Sequence, residues 1–160
     1  MFWQIQLGNY ICIRHKPLII KDIMIMEEKE KKILMEINSL HEKLLNEPYG
    51  DNVRGAHGML PPNAYSYAKY AKDIRDKVFE LYNTFHPEYI SFNDIQDLDD
   101  TCNKEVQHVI IKGNEARKRN AARIRQDEFI SEMEYATNQI EIAISSVFYQ
   151  IKQLKENGEL

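Results

Sequence analysis

The chain is short of residues that interrupt secondary structure. It has five prolines and six glycines in 160 residues, and three of the glycines fall between Glu47 and Pro62. Most of the sequence is therefore unpunctuated, which argues against a strand-and-turn fold and for long helices. Cysteine is scarce as well. Cys12 and Cys102 share no recognisable disulfide or metal spacing, and read as reduced thiols of a cytoplasmic protein. No run approaches the ~18 apolar residues that a membrane span needs. The net charge is −4, so the basic excess of a protein built wholly around nucleic acid is missing. Catalytic constellations are thin. Glu105 and His108 form one Glu-x-x-His pair, but a di-iron bundle needs a second copy on another helix. His41, His57 and His86 show no metal-ligand spacing. No nucleophile motif occurs, and the expectation is a protein that is not an enzyme and holds no cofactor or metal.

What is present points to a globular helical domain. Hydrophobic residues make up 43% and charged residues 29%, and 160 residues suffice for one domain with a buried core. Residues 1–25 differ from the rest, being rich in Ile and aromatics and poor in acid. Arg14, His15 and Lys16 interrupt the apolar run, so this is not a signal peptide. The segment reads either as a hairpin turning at Gly8-Asn9 or as sequence upstream of a natural start at Met24 or Met26 instead of Met1. The helical domain is expected to span 26–160.

Four helical segments follow from apolar spacing. In the first, Met26, Ile33, Ile37, Leu40 and Leu44 share a face, and Glu27/Lys31 and Glu28/Lys32 are favourable i,i+4 pairs. In the second, Asn63 is the N-cap after Pro61-Pro62, and Ala64, Tyr67, Ala71, Ile74, Val78, Leu81 and Phe85 run to Pro87. In the third, Ser91 and Asp94 resemble a capping box, and Phe92, Ile95, Leu98, Cys102, Val106 and Val109 form the apolar face. Asp99-Asp100-Thr101 and Gly113-Asn114 are the expected interruptions. The fourth carries the plainest signal: Ile130, Met133, Thr137, Ile140, Ile144, Val147, Ile151 and Leu154 alternate by three and four. Phe129, Ala136 and Ala143 widen that stripe, as in a bundle helix; a two-stranded coiled coil would place charges there. The fold class expected is all-α, a four-helix bundle with a short extended or poorly ordered N-terminal segment.

Two places stand out as candidate sites. Residues 112–126 hold six cations and one Glu: Lys112, Arg117, Lys118, Arg119, Arg123 and Arg125. On a continuous helix, at about 100° per residue, these point in several directions, as on a solvated face with local acid partners. The rival reading is contact with nucleic acid, supported by the helix-turn-helix rhythm of 91–113. Gln96 and Asp100 fit that motif poorly at its turn. The second place is the long connection 47–62, where Gly55 and Gly58 flank His57 and, with Arg54, suggest an anion site. On the second helix, Tyr65, Tyr67, Tyr70 and Tyr82 lie beside Lys69, Lys72 and Arg75, a pattern shared by core packing and base stacking. The functional expectation is a small interaction or regulatory protein of a bacterium or its mobile elements. It binds another macromolecule, a protein before nucleic acid, with self-association through helix 127–156 as a further expectation.

Overall fold

The computed structural model describes residues 28–47, 63–118 and 124–160, and within these every regular element is a helix. Helix α1 covers 28–45, α2 Asn63–Phe85, α3 Phe92–Thr101, α4 Gln107–Lys118, α5 Ile124–Ala143 and α6 Ser145–Glu156. A single π-helical turn, Cys102–Val106, joins α3 directly to α4. The expected N-terminal hairpin, the alternative start sites and the connection 48–62 lie outside the described residues. So do the side chains at 63–64, 116–118 and 124–128.

Local chemistry fixes the helix ends. Ser91 caps α3: its Oγ accepts from the Asp94 N–H at 3.1 Å, while the Asp94 carboxylate accepts from the Ser91 N–H at 2.7 Å. Both orphan donors of the first turn are thereby satisfied. Helix α2 stops at Phe85, and His86 takes φ 44° immediately before Pro87, where the ring of proline disfavours a further helical residue. The end of α6 is a Schellman turn. The Glu159 N–H bonds to the Leu154 carbonyl at 2.8 Å and the Gly158 N–H to that of Lys155 at 3.1 Å. Gly158 supplies the required φ of +71°.

The interruptions expected in the third segment are not turns. After Asp99-Asp100-Thr101 the chain widens by one residue into the π turn and continues helical. Gly113 is buried within α4. The helix runs on although a glycine inside a helix costs ~1 kcal/mol relative to Ala. The same continuity removes the helix-turn-helix: 92–118 is one rod, with no turn between two helices. Phe92, expected in the apolar face, is 59% exposed, because it is the first helical residue after the cap.

The helices thus form four rods: α1, α2, α3–α4 and α5–α6. Contacts between them set the directions. Glu36 of α1 lies 2.7 Å from Lys77 of α2, and Tyr89, just past α2, donates to Glu30. Tyr65 at the start of α2 donates to Asn114 of α4 at 2.7 Å, and Arg75 meets Asp99 at 3.5 Å. Lys112 of α4 reaches Glu132 of α5 at 2.6 Å. Lys31, read as part of an i,i+4 pair, reaches across to Glu159 at 2.6 Å. Moving along one rod in these contacts moves backwards along its neighbour, as from Glu30–Tyr89 to Glu36–Lys77 and from Tyr65–Asn114 to Arg75–Asp99, so adjacent rods run antiparallel. The arrangement is compatible with the expected four-helix bundle.

One core fills the space between the rods. Tyr67, Ala71, Ile74, Val78 and Leu81 of α2 are all buried, as are Met133, Ile140, Ile144, Val147, Ile151 and Leu154 of α5–α6. Phe129, Ala136 and Ala143 are buried beside them, which confirms the wide stripe. Thr137, the one polar residue in that row, has a purpose. Its Oγ1 donates to the Met133 carbonyl at 2.9 Å and sits 3.1 Å from the Tyr67 hydroxyl. The buried phenol of Tyr67 is thereby hydrogen-bonded across the core. Cys102 is a free buried thiol, pushed up to about 11 chiefly by burial. The α5–α6 rod bends at Ile144 (φ −116°, ψ 29°), next to the Ser145-Ser146 pair, a composition associated with kinks. The hydrogen-bond ladder survives the bend: the Ile144 N–H bonds to Ile140 at 3.1 Å and its carbonyl accepts from Phe148 at 3.2 Å.

Candidate functional site

Of the cations of 112–126, Lys112 is the one whose side chain is described. Lys112 faces α5 and is engaged by Glu132, whose other carboxylate oxygen lies 3.4 Å from His108 Nδ1. Arg117 and Lys118 stand at the end of α4 and Arg125 at the start of α5, with their side chains outside the description. Arg119, Arg123, Arg54 and His57 lie outside the described residues altogether. Among the described residues no group of three or more His, Cys, Asp or Glu side chains converges, at Glu105 and His108 or elsewhere. Of the α2 tyrosines, Tyr67 is core, Tyr70 and Tyr82 pack partly buried against it, and Tyr65 is exposed.

The Lys112–Glu132 contact has a pH signature. The hydrogen bond from Lys112 is the main cause that holds the Glu132 carboxyl below its ordinary value. A carboxylate depressed in the folded state adds stability above its unfolded value, ~4.3, and that stability disappears as pH falls through the lower folded value. Glu132→Gln should therefore melt below the parent at pH 7, with the gap narrowing below about pH 4. Thermal midpoints of both proteins across that range check this; a gap independent of pH would show that the pair adds nothing through ionisation.

A different feature emerges on the outside of α5–α6. Tyr135, Ile142 and Tyr149 are 50%, 66% and 63% exposed. They recur every seven residues, and seven residues at about 100° each bring the chain back to nearly the same side. Ile142 lies two positions from both Ile140 and Ile144, which are wholly buried, so the row stands on the face opposite the core. The rod is apolar on both sides. Single exposed apolar residues are ordinary; a row at one repeat along one rod is not explained by packing among the described residues.

The ground beside this row is acidic. A groove of about 340 Å³ between α3 and α5 has Ile142 and Ala143 on one wall and Asp94, Asp97, Asp100 and Glu105 on the other. Lys104 is the cation among them, 3.7 Å from Asp100 and largely exposed. The surface thus combines exposed aromatic and aliphatic side chains with a flank of carboxylates. Composition could have revealed the row, since three large apolar residues at i, i+7 and i+14 lie off the seam. Its acidic flank required the packing of α3 against α5.

No family model, curated protein or solved structure matches the chain.

Proposed function

We propose that this protein is a small helical interaction protein that binds a protein partner through the outer face of α5–α6. The observation that carries the reading is the exposed row Tyr135, Ile142 and Tyr149 beside the carboxylates of α3. Aromatic residues are the side chains that most often anchor protein interfaces, because they bury much area for little lost rotamer freedom. The acidic flank adds charge selection: a basic partner is steered towards the row and an acidic one repelled. The inner stripe of α5–α6 is occupied by the chain's own core, so self-association through 127–156 would also have to use this outer face.

The test is capture from nuclease-treated lysate of the source cells, with the parent and Ile142→Lys compared. The substitution removes the central anchor and sets a cation against an incoming basic surface. A protein captured by the parent and lost with Ile142→Lys is the expected result. Light scattering on the purified parent reveals whether that protein is a second copy. Capture that ignores the substitution, or that disappears with nuclease, would contradict the reading.

A further inference from the structure

The charges of α2 are sorted by side. Asp73, Asp76, Lys77 and Glu80 line a groove against α1. Lys69, Lys72 and Arg75 line a second groove, of about 470 Å³, against the π turn and α4. That volume lies within the range of small-molecule sites. The three cations stand at i, i+3 and i+6, a line of about 9 Å at 1.5 Å per residue. Arg75 is held by Asp99 at 3.5 Å and Asp76 at 3.2 Å. Lys69 and Lys72 have no ion-pair partner among the described residues. Like charges one turn apart oppose the helix that carries them, an effect that Asp73 and Asp76, four residues on from each, offset in part.

The other wall supplies different chemistry. Val106 and Ile110 form an apolar floor, and the amide side chains of Asn103 and Gln107 open onto the groove. Asn103 belongs to the π turn and Gln107 follows it directly. Such one-turn widenings recur at functional sites because they redirect side chains within an otherwise rigid rod. At the far end stands Tyr65, exposed, with its hydroxyl tied to Asn114 at 2.7 Å. That bond fixes an aromatic ring at the groove mouth one turn from Lys69.

We propose that this groove binds a nucleoside phosphate. The phosphate lies between the Lys69 and Lys72 ammonium groups, within reach of the Asn103 amide. The base stacks on Tyr65 over the Val106–Ile110 floor, and Gln107 hydrogen-bonds its edge. An anion alone would use the lysines and leave the ring and floor idle; an apolar ligand would leave two unpaired cations beside it. A nucleotide uses both, and stacking on an aromatic ring tolerates any base. The ligand chemistry is the same whether the nucleotide is free or part of a single strand. This site shares the α3–α4 rod with the proposed partner face but not Ile142, which lies on α5, and Ile142→Lys should leave it unchanged.

The experiment is isothermal titration calorimetry of the full chain. The four ribonucleoside 5′-monophosphates are titrated singly, then inorganic phosphate, a 12-residue single-stranded oligonucleotide and a polyglutamate peptide. At least one nucleotide should bind saturably and more tightly than inorganic phosphate. Lys69→Gln/Lys72→Gln and, separately, Tyr65→Ala should each weaken it at least tenfold, while both variants keep the parent's helicity and cooperative melt. An oligonucleotide that binds much more tightly than any mononucleotide, with the same sensitivity to both variants, assigns the site to a strand; equal affinities assign it to the free nucleotide. Either supports the proposal. Absence of saturable binding by every nucleotide and by the oligonucleotide would overturn it. So would nucleotide binding that ignores either variant, or polyglutamate binding that exceeds all of these and ignores Tyr65→Ala.

Discussion

Ile144→Asp should abolish the cooperative thermal transition of this protein. Ile144 has no exposed surface and lies at the bend of α5–α6, where its carbonyl accepts from Val147 at 3.0 Å and Phe148 at 3.2 Å. A carboxylate there has no described cation beside it and no route to water without opening the rod. Burying an unpaired charge belongs to the short list of changes that exceed about 4 kcal/mol, a large part of the ~5–15 kcal/mol that holds a domain together. Ile144→Val keeps the shape and should cost only ~0.5–1.5 kcal/mol. Circular dichroism melts of the two variants check the pair. An aspartate variant that melts like the parent would place this side of the helix in solvent and the core elsewhere.

The second large effect is expected at Tyr67. Its ring is buried between α2 and α5, and its hydroxyl sits 3.1 Å from Thr137 and 3.3 Å from the Met133 carbonyl. Tyr67→Ala removes the ring and leaves a cavity, and large aromatic truncations of this kind cost ~3–5 kcal/mol. Tyr67→Phe keeps the ring and removes only the hydroxyl, for ~0.5–1.5 kcal/mol. Thr137 still donates to Met133 in that variant. Urea unfolding of both separates the two contributions. Equal losses in the two variants would mean that the polar contact, and not the packing, joins α2 to α5.

The contrast between what was legible and what was not follows from range. On α2 the buried set Tyr67, Ala71, Ile74, Val78 and Leu81 is the row that spacing alone picks out, because helical period is a local property. The same holds for the α5–α6 seam and the capping box at Ser91. Leu34 falls outside the row that spacing picks out on α1, yet it is buried together with its neighbour Ile33. The π turn left no trace: Ile95, Leu98, Cys102, Val106 and Val109 step by three and four as an unbroken helix also would. The bend at Ile144 is hidden for the same reason. Ion pairs such as Lys77–Glu36 and Lys112–Glu132 join residues far apart in the chain and depend on which rods are neighbours. The candidate surfaces divide similarly. Tyr65, Lys69, Lys72 and Arg75 are visible on one helix, but the facing amides of Asn103 and Gln107 are not. Tyr135, Ile142 and Tyr149 repeat every seven residues, yet only packing shows that this row is the outer one and that acids flank it.

We propose that α5–α6 carries two apolar faces, an inner one that holds the fold and an outer one left for a partner. The most direct measurement is the thermal melt of Ile142→Lys beside the parent at neutral pH. Ile142 is largely exposed, and a lysine there would stand near Asp97, Asp100 and Glu105. The expected midpoint is equal to or slightly above the parent's, within the ~0.5 kcal/mol typical of surface substitutions. A drop comparable to that of a core truncation, ~2–5 kcal/mol, would show that Ile142 packs inside the fold and that the outer face does not exist as described.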